Sequence, residues 1–272
     1  MKIRMLLVAL VLGSVVSSGP APIAQTDAGI DPEALISRIL AVQKSQRAKL
    51  QNVVFDAELI EGKLDKSGGV EENIRISKKV YLKYLPDTVL FTERYIEFYE
   101  DGKLKSHKKR NSEYRERLKK KKKRGTKNIS FPMLRPFMPQ YRDQYDITYR
   151  GIADDQIDSY VCHRFNVKAK EQLPGLINGD FYFEAQGFNL VQVDFSPAKL
   201  RGGFKFKLRH LNMSVHYQPA ESDIWLPRQF DIEGKGKAIM LIGVEFAATE
   251  YFRTPIINGT VDDSLFVEAG DD

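Results

Sequence analysis

The residues that could carry out catalytic chemistry are few and widely spaced in this chain of 272 residues. Metal sites need clustered imidazole or carboxylate ligands. The Gly-x-Ser-x-Gly motif of common serine hydrolases is absent, as is a glycine-rich phosphate-binding loop. No two of the four histidines have the i,i+4 spacing that places a ligand pair on one face of a helix: His107, His163, His210 and His216. Nothing in the sequence therefore indicates an enzyme, a metal site or a cofactor.

One acidic cluster and one thiol remain as candidates for chemistry. The cluster comprises Asp154, Asp155 and Asp158 in the segment 151–158. Paired carboxylates can act as general acid and base, but this segment has the composition of a hairpin turn, where carboxylates are usually solvated. The single cysteine, Cys162, lies in a strand-like run. It predicts a buried structural thiol, and it excludes a disulfide framework.

The strongest local feature is a basic run. Residues 103–127 hold 14 Lys and Arg against Glu113 and Glu116, a net charge of +12 in a chain whose total is +6. Its peak is six consecutive cations: Lys119, Lys120, Lys121, Lys122, Lys123 and Arg124. Like charges at this density repel one another, which predicts an extended or disordered insertion between two strands.

Two interpretations of the basic run remain open. It is either a solvated loop without a specific partner, or a contact for an anionic surface such as lipid head groups, lipopolysaccharide or an acidic envelope protein. Nucleic acid fits poorly, because no aromatic residue interrupts the peak of the run and because the chain carries an export signal.

The export signal is predicted over residues 1–24. Lys2 and Arg4 precede an apolar stretch over residues 5–16, and small residues then suit cleavage after Ala24 or Ser18. The stretch is about 12 residues long, too short to cross a bilayer. A retained membrane anchor is the alternative interpretation. We expect an exported, periplasmic protein, and lipoprotein processing is excluded because no cysteine lies near the cut.

Periodicity predicts an α+β fold. Asp31 as N-cap and Pro32 open an amphipathic helix that should end near residues 49–52. The apolar period then changes to two, and about ten strands joined by short turns predict one large antiparallel sheet. A phase slip between 204–208 and 211–217 predicts a β-bulge near Arg209 and His210. Residues 238–252 are predicted as one strand covered on both faces, and residues 25–272 as one domain.

Two sets of apolar residues could bind a ligand. Residues 128–141 place three prolines among apolar side chains, which predicts either a lid over the sheet or a packed structural loop. Phe137 is its candidate contact. Strand alternation predicts a hydrophobic cavity lined by Phe55, Leu59, Ile76, Val80, Leu82, Leu90, Ile96 and Phe98. Plain core packing is the alternative for each of these residues.

Five strand-like stretches resemble a known family: 145–151, 160–167, 179–184, 190–195 and 224–228. Their order resembles that of the bacterial outer-membrane lipoprotein-sorting family, the LolA/LolB-like periplasmic carriers, which also includes the lipid-sensing domain of an anti-sigma-factor regulator. The resemblance implies an unclosed half β-barrel, with the helix and lid on its concave face and a cavity for acyl chains. The basic run departs from the family pattern.

The resemblance implies two functions. The first is an exported carrier for lipids or the acyl chains of lipoproteins, involved in outer-membrane lipoprotein sorting. The second is an envelope lipid-sensing regulatory module that binds a membrane partner through the basic run. Because the chain has no lipid-anchor cysteine, it resembles the soluble shuttle of the family more than the anchored receptor.

Overall fold

The computed structural model describes residues 31–64, 70–86, 88–123, 134–200, 202–203, 206–221, 223–238 and 242–266. The predicted signal peptide, Arg124 and residues 128–133 of the predicted lid lie outside these ranges. The helices described are α1 (Pro32–Lys49), α2 (His107–Lys123) and α3 (Pro139–Arg142). The strands described are β1 (Asn52–Leu64), β2 (Val70–Tyr84), β3 (Val89–Glu100), β4 (Lys103–Leu104), β5 (Tyr145–Ile152), β6 (Cys162–Ala169), β7 (Ile177–Glu184), β8 (Leu190–Pro197), β9 (Gly202–Gly203), β10 (Phe206–Glu221), β11 (Ile224–Ala238) and β12 (Ile242–Ile257).

The strands form one large antiparallel sheet. Its order is β4-β3-β2-β1-β12-β11-β10-β8-β7-β6-β5, and β9 pairs with β10. Most neighbours follow one another in the chain, as expected for strands joined by short turns. In the described part of the chain, no pairing joins β4 to β5, so the sheet is not closed into a barrel. The predicted α+β fold with a large open antiparallel sheet is therefore confirmed. Within the same ranges, no helix is both long enough and apolar enough to cross a membrane.

The described residues divide into two compact units. The first holds β1 to β4, α2 and the part of β12 from Ala248 onward. Its core includes Val53, Phe55 and Ile76. The second holds most of α1, all of α3, β5 to β11 and the beginning of β12, and its core is rich in phenylalanine.

Helix α1 begins and ends where the sequence predicts. The Asp31 carboxylate accepts a hydrogen bond from the Glu33 backbone N–H at 3.0 Å, which caps the first turn. Its apolar stripe is buried, and near its other end the buried Gln46 side chain donates to Asn189 Oδ1 and accepts from the Trp225 backbone N–H. These bonds tie α1 to β11 and to the turn before β8.

Two long strands show where the sequence pattern succeeded and where it failed. In β10, Leu208 pairs with Gly236 and His210 pairs with Lys235, so Arg209 is the extra residue and the predicted bulge is confirmed. The single strand predicted over 238–252 is wrong, because β11 continues to Ala238 and β12 begins only at Ile242. The glycines of β11 concealed this continuation. The Phe246 ring lies where a Cβ of Gly234 would be, at 2.2 Å, so only glycine fits there.

Candidate functional site

Six of the eight predicted cavity residues lie together on one face of the sheet in the first unit. Register pairs Phe55 with Val80, and places Leu59, Ile76 and Phe98 side by side across β1, β2 and β3. Directly paired residues point to the same side of a sheet. All five side chains, and Leu82 near the end of β2, are at most 3% exposed. The structure thus assembles one continuous apolar face, while its role in ligand binding stays a prediction.

The other two predicted residues are placed differently. Ile96 is 45% exposed and Leu90 is half-buried. The cause is a bulge in β3: Ser77 pairs with Glu97 and Lys78 pairs with Tyr95, which leaves Ile96 as the extra residue. Before the bulge, the inward positions of β3 are therefore the odd-numbered ones, such as Glu93 and Tyr95, and not the even-numbered ones. The expectation that Ile96 faces inward was wrong, and the adjacent apolar pair Tyr95-Ile96 was the sequence signal for the phase change.

The phase change brings Glu93 and Tyr95 inward, next to Lys78 of β2. The Lys78 ammonium lies 2.7 Å from Glu93 Oε2 and 2.8 Å from Glu250 Oε1, and Lys78 is only 4% exposed. Burial alone would lower the pKa of Lys78, but the carboxylates of Glu250 and Glu93 outweigh burial and raise this pKa above its usual value. Burial also raises the pKa of the neighbouring Tyr95 hydroxyl. Lys78 is thus held as an ammonium ion and is not available as a general base.

A second buried ion pair attaches α2 to the sheet. The Arg117 guanidinium donates to both oxygens of Glu61 on β1, at 2.6 and 2.8 Å, and to Glu113 one helical turn earlier at 2.9 Å. All three side chains are buried. Burial opposes the charged form of Arg117, but the hydrogen bonds to Glu61 keep its pKa raised.

Helix α2 also makes an aromatic contact with the sheet. Tyr114 packs against the buried cluster of the first unit and meets the Tyr95 ring edge-on at 5.1 Å. That cluster comprises Leu59, Ile74, Ile76, Tyr95, Phe98 and Ala248. Helix α2 therefore lies on the apolar side of the sheet, held there by the Arg117–Glu61 pair and by Tyr114.

The basic run is this helix, so the expectation of an extended or disordered tip was wrong for residues 107–123. Arg117 and Glu113 supply the reason, because four residues apart they form an ion pair within the helix, and Glu61 neutralises Arg117 from the sheet. Lys119 is exposed. The backbone of Lys120, Lys121, Lys122 and Lys123 is helical, and Arg124 lies outside the described residues.

In the second unit, the described part of the predicted lid packs on the sheet. Phe137 is 1% exposed and meets Phe165, Phe181 and Phe183 edge-on, with ring centroids 5.7, 5.1 and 5.6 Å away. Edge-to-face contacts of this kind stabilise aromatic clusters. The described part of this segment is thus packed on the sheet, and its role as a lid with Phe137 as a ligand contact stays a prediction.

The sequence did not indicate a polar network that lies on β10 and its neighbours. His216 Nε2 lies 3.2 Å from Ser214 Oγ, and His216 Nδ1 lies 3.3 Å from Asp158 Oδ2. This is the order of contacts in a serine hydrolase triad. However, the Ser214 hydroxyl donates its proton to Asp194 at 2.6 Å and not to the imidazole. Ser214 is therefore not activated as a nucleophile in this arrangement.

All three aspartates of the turn are exposed, as expected. Asp158 is in addition paired with Arg228 at 2.5 Å and with His216 at 3.3 Å. In the part of the chain that the structure describes, no three His, Cys, Asp or Glu residues are placed to hold a metal ion. Cys162 is buried as predicted, and burial raises the pKa of its thiol to about 11, with Glu184 adding to the effect.

Comparison with known proteins gives matches in fold. No family model matches the chain, and no curated protein does. A DUF1329 family protein from Desulfovibrio piger matches at 12% identity and a TM-score of 0.45, over 88% of this chain and 98% of that one. An outer-membrane lipoprotein-sorting protein domain from Vibrio parahaemolyticus matches at 8% identity and a TM-score of 0.42, over 85% and 97%. A LolA superfamily protein from Nitrosomonas europaea matches at 7% identity and a TM-score of 0.38, over 85% and 97%.

The family that the sequence resembles is among these matches, and each match covers most of both chains. At such identities and TM-scores the likeness concerns the fold alone. What this chain binds has to be derived from its own residues.

Proposed function

We propose that this chain is an exported periplasmic carrier that binds lipids or the acyl chains of lipoproteins and takes part in outer-membrane lipoprotein sorting, without catalytic activity. One observation carries the proposal: the apolar sheet face of the first unit is covered by α2, a helix with net positive charge whose buried contacts include Arg117 and Glu113. A cover held partly by ions can be exchanged for an apolar ligand where all the freed charges regain hydration, those of α2 in water and that of Glu61 at a water-filled end of the slot.

The energy available to such a ligand is large. Each buried methylene contributes about 0.8 kcal/mol, so a 16-carbon chain transferred onto this face is worth about 12 kcal/mol. An exposed patch could not hold such a chain in water, whereas an enclosed slot can. In this mechanism α2 moves away from Leu59, Ile76 and Phe98, and the acyl chain takes the place of Tyr114. Displacement of Phe137 would open a corresponding slot in the second unit.

Native mass spectrometry of the mature protein, purified from a bacterial periplasm, tests the proposal. We expect co-purifying lipid, and we expect Val80→Phe to reduce its amount, because the larger ring occupies the apolar face of the first unit. Val193→Phe is the corresponding variant for the slot under Phe137, since Val193 is equally buried and pairs with Phe181, which contacts Phe137. Wild-type protein free of lipid after gentle purification would refute the carrier function.

The basic helix favours a second candidate function, that of an envelope lipid sensor which binds a membrane partner protein through α2. Replacing Lys119, Lys120, Lys121, Lys122, Lys123 and Arg124 by serine separates the two functions. A carrier keeps its lipid after this change, whereas a sensor loses its partner in a pull-down from membranes. The loss of partner with lipid retained would favour the sensor.

A further inference from the structure

The exposed cations of α2 form a stripe along one side of the helix. Lys108, Arg115 and Lys119 are exposed, and they are spaced at i, i+7 and i+11. At about 100° per residue, this spacing keeps all three within a sector of about 40° and spreads them over about 16 Å of helix. Among the described residues, none of the three is in an ion pair.

The direction of this stripe is fixed by the opposite side of the helix. Arg117 lies about 180° from Lys108 around the helix axis, and Glu113 lies about 140° from it. Both are buried against the sheet through Glu61. Because Glu61 belongs to the same face of β1 as Leu59, α2 lies on the apolar side of the sheet. The stripe therefore lies on the outer side of α2, above the apolar face of the sheet, and faces the solvent.

We propose that the stripe of Lys108, Arg115 and Lys119 is a docking surface for an anionic phospholipid bilayer, which turns the apolar side of the first unit toward the membrane. This inference rests on the proposed carrier function and adds to it the surface that the carrier approaches. A cargo chain leaving the bilayer would then meet the sheet face that α2 covers, and an empty carrier would approach the membrane in one orientation.

A lipid surface fits the stripe better than an acidic protein does. Stable protein interfaces have an apolar or aromatic centre, but the described side chain that adjoins this sector of α2, Ser112, is polar and exposed. A row of long cations without an apolar centre suits a plane of phosphates, which attracts each lysine or arginine separately. Leu104, the most exposed large apolar residue described here, points the other way. It pairs with Tyr99, whose neighbour Phe98 is buried on the apolar side.

Vesicle co-sedimentation tests the docking surface. The probes are vesicles of phosphatidylethanolamine with one-third phosphatidylglycerol, and vesicles of phosphatidylcholine alone, with protein stripped of lipid beforehand. We expect binding to the anionic vesicles only. Each cation near an acidic surface contributes about fivefold in affinity, so the variant K108Q/R115Q/K119Q should bind about a hundredfold more weakly. The matched control is K44Q/K168Q/K207Q, which removes the same charge from exposed positions elsewhere.

Site-directed fluorescence tests the orientation. A bimane label at Ser112→Cys lies on the stripe side of α2, whereas a label at Leu104→Cys lies on the other side of the sheet. Cys162 can stay in place because it is buried. With a quencher on the lipid head groups, we expect quenching of the label at position 112 and little at position 104. Equal quenching of both labels would overturn the orientation.

Three results would overturn the docking surface. They are no binding of wild-type protein to anionic vesicles, equal losses for the stripe and control variants, and capture of an acidic protein in place of lipid. Circular dichroism of each variant shows whether the fold is kept, and these exposed substitutions should leave it unchanged. Failure here is distinguishable from failure of the carrier function, because co-purifying lipid is measured without vesicles.

Discussion

The buried ion pair between Arg117 and Glu61 makes the most specific prediction about the first unit. Replacing Arg117 by methionine keeps an unbranched apolar stem but removes three hydrogen bonds of 2.6 to 2.9 Å. The carboxylate of Glu61 then stays buried without its guanidinium partner. Removing one member of a buried pair costs about 3–5 kcal/mol. We therefore expect the free energy of unfolding to fall by that amount.

The triple variant E61L/E113L/R117M separates loss of charge pairing from loss of packing, because Glu113 is buried against Arg117 as well. Replacing a whole buried ionic network by apolar residues is often neutral or stabilising, so this variant should recover most of the lost stability. Arg253→Met is the matched control, because Arg253 pairs with Glu58 in the same unit at 3.4 Å but is 60% exposed. Exposed pairs contribute about 0–1 kcal/mol.

Urea unfolding followed by circular dichroism measures these free energies, and hydrogen exchange of the peptide 107–123 shows whether α2 is still attached. For Arg117→Met we expect faster exchange of α2 than in wild type at a urea concentration where the sheet is intact. If Arg117→Met costs no more than Arg253→Met, and α2 keeps its protection, the pair does not hold the helix. The exchangeable cover would then be refuted.

Three further predictions concern the second unit. Phe137→Ala should cost about 3–5 kcal/mol in unfolding free energy and open a cavity that binds benzene, as seen by calorimetry, because its ring is packed against three others. The thiol of Cys162, with its pKa of about 11, should react with a disulfide reagent at pH 8 about a hundredfold more slowly than a free cysteine, and an ordinary rate would show that it is accessible. Burial lowers the pKa of His163, so its neutral form stabilises the fold above the unfolded-state value of about 6.5 and this contribution is lost as the pH falls. The loss should disappear in His163→Gln, measured by urea unfolding at pH 7.5 and 5.

The fold could be predicted wherever one residue type decides the local geometry. Asp31 and Pro32 determined the start of α1, and the phase of apolar residues in β10 located the bulge at Arg209. Both are local signals, readable within a window of a few residues. The end of β11 was not readable in this way, because Gly234 is explained only by the Phe246 ring that covers it from another strand.

The candidate site could be predicted only for its apolar half. Alternation identified Phe55, Leu59 and Ile76 because the pairing of β1 with β2 is regular at these residues and shifts only beyond them, between Glu61 and Gly62. The buried ion pairs of the site were not predicted. Lys78 is a polar residue at a position that alternation assigns to a buried one, and its partners Glu93 and Glu250 are distant in sequence. A buried charge is stable only with its partners, so no local pattern reveals it.

The same reasoning explains why the basic run forms a helix. Charge density alone predicts repulsion, and this holds for a segment that must be solvated on all sides. Arg117 is not solvated, because Glu61 and Glu113 neutralise its charge where it is buried. The three cations of the stripe remain in water on the opposite side. The helix thus divides its cations into a buried cation that binds the sheet and exposed ones available to a partner. Because these two groups lie on opposite sides of one helix, an anionic surface that attracts the exposed cations need not compete for Arg117. Docking of the protein on a membrane and release of α2 from the sheet can therefore be altered separately. The first depends on the stripe and the second on Arg117.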